Sequence, residues 1–231
     1  MKKEAKRFID QNEEYSIVVT TMPKSLHAES YRRIPVNLRY LDVDKEPRII
    51  QITSSLPGEH KTTVSANLAA TYVEQNKKVI LVDCDLRRPK VHRATNLIND
   101  IGLANVLADK AKLSEVIQNT EYNFDVITTG EKVPYPHVVL ESKKFSDLIE
   151  KLKEIYDYVI LDSPPVLNVT DSLILSKDTD VVLFIINLKV AKKNEVKEAL
   201  TQLKNAKANI GGIIMSNVED KGLKYSYYYG D

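Results

Sequence analysis

The chain has 231 residues, 43% hydrophobic and 28% charged, with a formal net charge of +1; it is long enough for one domain with a buried core and carries no basic field of the kind that binds nucleic acid. Its longest apolar runs, such as residues 181–186, fall far short of the roughly 20 residues a membrane span needs. The charged N-terminus lacks the apolar core of an export signal, and the lone Cys84 forms no internal disulfide, so a cytoplasmic protein without a membrane span is expected.

Residues 1–46 read as an N-terminal arm, with a strand over 17–20 and a helical segment over 29–40 that Pro35 interrupts. From residue 47 short apolar runs alternate with helical patterns, which predicts strands over 48–53, 78–82, 124–128, 158–161, 181–186 and 210–215. Continuous apolar strands of this sort occur where helices cover both faces of a parallel sheet. A crossover helix is expected over 62–75. Phe145, Leu148, Ile149, Leu152 and Ile155, and then Val196, Ala199, Leu200 and Leu203, recur at the spacing of amphipathic helices. The predicted fold is therefore α/β: a P-loop NTPase-like, mostly parallel sheet flanked by helices on both faces, in a single domain. Its core spans 47–218, and residues 219–231 form a flexible tail holding Tyr225, Tyr227, Tyr228 and Tyr229.

The first core strand runs into Ser54-Ser55-Leu56-Pro57-Gly58-Glu59-His60-Lys61-Thr62-Thr63 and then into a helix. Strand, loop and helix N-terminus are the setting in which backbone N–H groups cradle phosphates. Gly58, Glu59, His60, Lys61, Thr62 and Thr63 are the candidate nucleotide-binding residues. Lys61 is suited to neutralising the β- and γ-phosphates, and the Thr62 hydroxyl to ligating magnesium. Ser55 and His60 occupy the two positions where the general pattern has glycine. A glycine at 60 permits close backbone approach to the ligand, so its loss predicts weakened ATP binding or turnover.

Two later strands end in acids: Asp83-Cys84-Asp85-Leu86-Arg87-Arg88-Pro89 and Asp162-Ser163-Pro164-Pro165. Ligands of open parallel sheets collect at the carboxyl ends of strands. Asp162 fits a Walker B role at the metal, and Asp83 a second metal-site carboxylate. Asp85 is placed to take a proton from an incoming hydroxyl. Such a base matters for tyrosine, whose pKa lies near 10. The candidate catalytic set is Lys61, Asp83, Asp85 and Asp162, and the candidate metal set is Thr62, Asp83 and Asp162, with ATP and Mg2+ as the implied ligands.

Taken together, the residues 54–59 motif, Asn67-Leu68-Ala69, the two acidic strand ends and the terminal tyrosines resemble the bacterial tyrosine kinases of capsule and exopolysaccharide synthesis. The resemblance implies autophosphorylation of the tail tyrosines as phosphoacceptors. It also implies activation by the cytoplasmic segment of a transmembrane polysaccharide co-polymerase, which would hold the chain at the inner face of the membrane. The family's Glu-x-x-Arg-x-x-Arg subunit-interface motif maps onto Glu29 and Arg32, with Pro35 replacing the last arginine. A proline there predicts a kinked helix and a disturbed ring-like homo-oligomer. Two alternatives stay open: a catalytically weakened nucleotide-binding regulator of the same machinery, and a partitioning-type P-loop ATPase. Leu56, standing where the latter carries its signature lysine, argues against the second.

Overall fold

The computed structural model of the chain describes residues 15–41 and 46–218. Its elements in chain order are α1 (Val18–Thr21), α2 (Leu26–Arg39), β1 (Ile49–Ser54), α3 (Lys61–Glu74), β2 (Val79–Asp83), α4 (Val91–Ala94), α5 (Leu103–Leu107), α6 (Leu113–Val116), β3 (Ile117–Asn119), β4 (Asp125–Ile127), α7 (Pro136–Leu140), α8 (Lys143–Ile155), β5 (Tyr158–Asp162), α9 (Asp171–Leu175), β6 (Val181–Asn187), α10 (Lys193–Asn205) and β7 (Ile210–Ser216). The strands form one sheet in the order β3-β4-β2-β5-β1-β6-β7. All pairings are parallel except that of β3 with β4.

Every residue of β1, β2 and β5 is buried, and the pleat divides their side chains between two cores. Ile50, Ile52, Leu81 and Ile160 face one core with Leu68 and Tyr72 of α3. Ile49, Ile80, Val82, Val159 and Leu161 face the other, against Phe145, Leu148, Ile149 and Leu152 of α8. Each such side chain contributes about 1.5–3 kcal/mol when fully buried. A strand buried on both faces cannot alternate in polarity, which accounts for its continuous apolar sequence. The sheet order also sets β1, β5 and β2 side by side, with Ile52 paired to Asp162 and Asp162 to Asp83. The carboxyl ends that carry the phosphate loop and both acidic motifs therefore lie together.

Three expectations change. Residues 17–20 do not form a strand: Val18–Thr21 is a helical turn. The Asn67 side chain accepts from the Val19 amide at 3.2 Å and donates to the Ser16 carbonyl at 3.0 Å, which holds this segment on α3 rather than on a sheet edge. Pro35 does not interrupt the helix, since α2 runs unbroken from Leu26 to Arg39. Ser25 caps its start by accepting from the Ala28 N–H. Arg32 ties it to Glu74 through two hydrogen bonds of 2.8 and 2.9 Å, and Arg39 ties it to Gln75 at 2.7 Å. Packing and these anchors offset the missing amide of a proline that is itself buried. Third, the three-residue strand β3 pairs antiparallel with β4, Ile117 opposite Ile127. The terminal tyrosines and the tail over 219–231 lie outside the described residues.

Candidate nucleotide-binding and catalytic site

The turn from β1 into α3 is shaped from within. Gly58 has φ +83 and His60 φ +67, both left-handed. Glycine enters that region freely, whereas a residue with Cβ is strained there by about 1–2 kcal/mol. His60 is exposed and caps nothing with its side chain. The Lys61 and Thr62 amides at the head of α3 thus have no hydrogen-bond partner among the described residues, the arrangement in which a helix start receives an anion.

A cavity of about 340 Å³ opens at this turn, and Gly58, His60, Lys61, Thr62, Thr63, Asp85 and Asp162 are among its lining residues. The Thr62 hydroxyl donates to Asp162 Oδ2 at 2.6 Å, and the Ser65 hydroxyl to Asp162 Oδ1 at 3.1 Å. Burial raises the Asp162 pKa to about 6 against the pull of Lys61 and the Thr62 hydroxyl. Burial also lowers that of Lys61, opposed by the charges of Asp162 and Asp85. Asp85 is raised, again by burial first, although it accepts from the Arg88 amide at 3.0 Å. One ammonium, two carboxylates and a hydroxyl thus share one pocket.

Two predicted residues are not on the cavity wall. Asp83 is fully buried, and its oxygens accept the N–H groups of Asp85 at 3.1 Å, Lys90 at 3.2 Å and Val91 at 3.1 Å. Burial and the nearby Asp162 charge push its pKa well up. In the ligand-free protein these bonds make it a bracket for the loop from β2 to α4, in register with Asp162 on the neighbouring strand. Glu59 turns inward as well, at 0% exposure. Its carboxylate accepts Ser55 Oγ at 2.5 Å, the Leu56 amide at 2.7 Å and the Asn187 amide at 3.0 Å. Asn187 in turn donates to the Gly58 carbonyl at 3.2 Å and accepts from Asn217 at 3.0 Å. Glu59 therefore fastens the phosphate loop to the end of β6 and does not face a ligand.

Glu29 and Arg32, the residues expected at a subunit interface, make contacts within the chain. Arg32 Nη1 donates to the Pro23 carbonyl at 2.7 Å and lies 3.8 Å from Glu29, in addition to its bonds with Glu74. Sequence reasoning passed over Ser65, although a serine three residues after Thr62 falls on the same helix face. It also passed over the fork between Arg87 and Asp171, at 2.8 and 3.2 Å, in which Asp171 is buried and Arg87 lines the cavity. No local pattern marks Asp171 as that partner.

Among the described residues no three His, Cys, Asp or Glu side chains converge into a metal cluster. The oxygens of Thr62 and Asp162 suit magnesium all the same, because that ion takes one or two protein ligands and fills its shell with phosphate and water. Among the described residues no helix is long and apolar enough to cross a membrane.

A family model described as an AAA domain matches residues 47–217. Tyrosine-protein kinase YwqD of Bacillus subtilis (strain 168) is 38% identical over 215 residues, which is 92% of this chain and 91% of that protein. The kinase domain of Escherichia coli tyrosine kinase ETK is similar in structure at TM-score 0.85 and 32% identity, over 93% of this chain and 85% of that one. The septum site-determining protein MinD of Pyrococcus horikoshii OT3, solved with Mg-ADP, is similar at TM-score 0.62 and 28% identity, over 73% and 69%.

Proposed function

The chain belongs to the family of bacterial tyrosine-protein kinases, and from its site we propose that it binds ATP with Mg2+ and moves the γ-phosphate to Tyr225, Tyr227, Tyr228 and Tyr229 of its own or a neighbouring copy's tail. The observation that carries this reading is the convergence of Lys61, Thr62, Asp85 and Asp162 on one cavity at the head of α3.

The amides of Lys61 and Thr62 and the turn at Gly58 receive the phosphates, and the Lys61 ammonium sits against the β- and γ-phosphates. Thr62 Oγ1 and, directly or through water, Asp162 would hold a magnesium ion, whose contribution would be to neutralise charge on the phosphate chain. Thr62 keeps its proton on Asp162 at 2.6 Å, so its lone pairs remain for a metal. Ser65 holds the other Asp162 oxygen and fixes the carboxylate plane.

At neutral pH a phenol of pKa near 10 is almost wholly protonated. Asp85, whose pKa burial raises, accepts that proton as the phenolic oxygen bonds to the γ-phosphorus. The bond from that phosphorus to the bridging oxygen breaks, and ADP leaves with the electron pair. The products are phosphotyrosine and ADP.

In this reading the chain regulates capsule or exopolysaccharide polymerisation and export. The cytoplasmic segment of a transmembrane co-polymerase activates it and keeps it at the inner membrane face. Its copies assemble through Glu29 and Arg32 on the unbroken α2.

Two variants test the chemistry. Asp85→Asn is expected to bind nucleotide as the parent does and to transfer phosphate about 10²–10⁴ times more slowly, the usual contribution of a general base. Lys61→Met is expected to lose both. Transfer by Asp85→Asn at the parental rate would remove the base from the scheme.

A further inference from the structure

The loop between β2 and α4 brings two more cations to the cavity wall, Arg88 and Lys90. Neither has an ion pair among the described residues, in contrast to Arg87, which is engaged by Asp171 at 2.8 Å. Arg88 is exposed and Lys90 half-buried. Lys90 stands near enough to Lys61 for its charge to depress that ammonium's pKa. The Arg88 amide donates to Asp85 Oδ1, so this cation and the proton acceptor share one turn. The phosphate-binding amides come from a different loop, the one between β1 and α3.

The sequence supplies a ligand for these cations. Tyr225, Tyr227, Tyr228 and Tyr229 are neighbours or next neighbours. After one transfer, the next hydroxyl arrives with a phosphate one or two residues away, roughly 3.5–7 Å along an extended backbone. That phosphate carries about −1.5 to −2 charges and approaches a pocket already holding Asp85, Asp162 and a triphosphate. Lys61 is already committed to the triphosphate in the reading above, so a further cation beside the acceptor would lower the repulsion met by every transfer after the first.

We propose that Arg88 and Lys90 form an acceptor-side subsite for an anionic side chain next to the target tyrosine, with phosphotyrosine as its preferred occupant, so that each phosphorylation of the tail primes the next. The proposal rests on the tyrosine-kinase reading of the same cavity. Arginine and lysine at this position offer the charge-assisted donors that a phosphate monoester takes.

The test uses the full chain with its four tail tyrosines changed to Phe, so that its own tail does not compete. Three peptides of the 219–231 sequence are compared: unmodified, phosphorylated at Tyr229 alone, and carrying Glu at 229. Binding is measured by fluorescence anisotropy with a non-hydrolysable ATP analogue and Mg2+ present, and transfer with labelled ATP. The phosphopeptide is expected to bind about tenfold more tightly than the unmodified one, with the Glu peptide between them and the advantage shrinking as salt is added. In Arg88→Gln/Lys90→Gln the advantage disappears, while affinity for ATP and the thermal midpoint stay at parental values. Arg88→Gln alone, an exposed change, is expected to remove part of it and covers the case in which the double variant folds poorly. Equal binding of the three peptides, or a preference that survives the double variant, would overturn the subsite. So would a parallel fall in ATP affinity, which would assign these cations to the nucleotide. Transfer to none of the peptides despite the binding preference would count against the kinase reading and leave the subsite standing.

Discussion

In the ligand-free protein Asp162 is 2% exposed, and its pKa is pushed up to about 6, above all by burial. An unfolded chain gives an aspartate a value of about 3.9. Because the folded value is the higher one, protonation favours the folded state: the stabilisation is fully present below about pH 4 and is lost as pH rises through about 6. At pH 7.5 the ionised carboxylate therefore costs the fold about 2–3 kcal/mol, taking 1.36 kcal/mol per unit. Asp162→Asn removes the charge and keeps acceptors and donors for the Thr62 and Ser65 hydroxyls. Exchanging a carboxylate acceptor for an amide gives back about 1 kcal/mol. The net gain is then about 1–2 kcal/mol, or roughly 2–8 °C in Tm for a domain of this size. Differential scanning calorimetry without nucleotide or magnesium should find that gain near pH 7.5 and little of it near pH 4.5, in a variant that has lost magnesium-dependent transfer. A lower Tm for the variant near neutral pH, or an equal gain at both pH values, would refute the reasoning.

Other substitutions probe separate links. His60→Gly relieves a left-handed residue at φ +67 but frees the unfolded chain by a similar amount, so stability should change by less than about 1 kcal/mol. Its effect belongs in ATP affinity, which should tighten several-fold by titration calorimetry; unchanged affinity would mean that Cβ at this position does not obstruct the phosphates. Arg87→Gln leaves the buried Asp171 carboxylate without its cation, which should cost about 3 kcal/mol or more and lower the denaturation midpoint accordingly. Pro35→Ala returns a donor to the Tyr31 carbonyl in the middle of α2, and urea titration should find it more stable by about 1–2 kcal/mol after some loss of proline packing; a destabilised variant would show that packing of the buried ring outweighs the missing bond.

The parts of the fold that were legible in the sequence are those written by burial on both faces. The six predicted strands lie within a residue or two of those observed, because runs such as Val79 to Val82 have no polar face to offer solvent. The arm departs from its sequence pattern where tertiary contacts outweigh local preference. Val18 and Val19 suit a strand, yet Asn67 claims the Val19 amide and the Ser16 carbonyl. Pro35 reads as a breaker until Arg32, Arg39 and the packing of Ala28 and Leu38 are seen to hold the helix. Strand β3 leaves no apolar run to read, since only Ile117 of its three residues is apolar and none is buried.

In the site, Lys61, Thr62, Asp85 and Asp162 could be placed together because strand ends and a phosphate loop converge by topology. Asp83 and Glu59 could not be sorted from them, since spacing alone does not tell whether a carboxylate faces a ligand or bonds backbone. Asp83 shares its register with the cavity-lining Asp162, yet its oxygens are taken up by three amides. Glu59 has the polarity of a ligand contact and the environment of a core residue. The pairing of Asn187 with Asn217 joins residues far apart in sequence, and no local pattern anticipates it.

Incubating the chain with labelled ATP, Mg2+ and the cytoplasmic segment of its activator, and then mapping the label by mass spectrometry, bears most directly on the chemistry assigned to this pocket. Label on Tyr225, Tyr227, Tyr228 or Tyr229, absent when Lys61 or Asp85 is replaced, is the predicted result. Free phosphate with no labelled tyrosine, or tail labelling that survives both replacements, would contradict it.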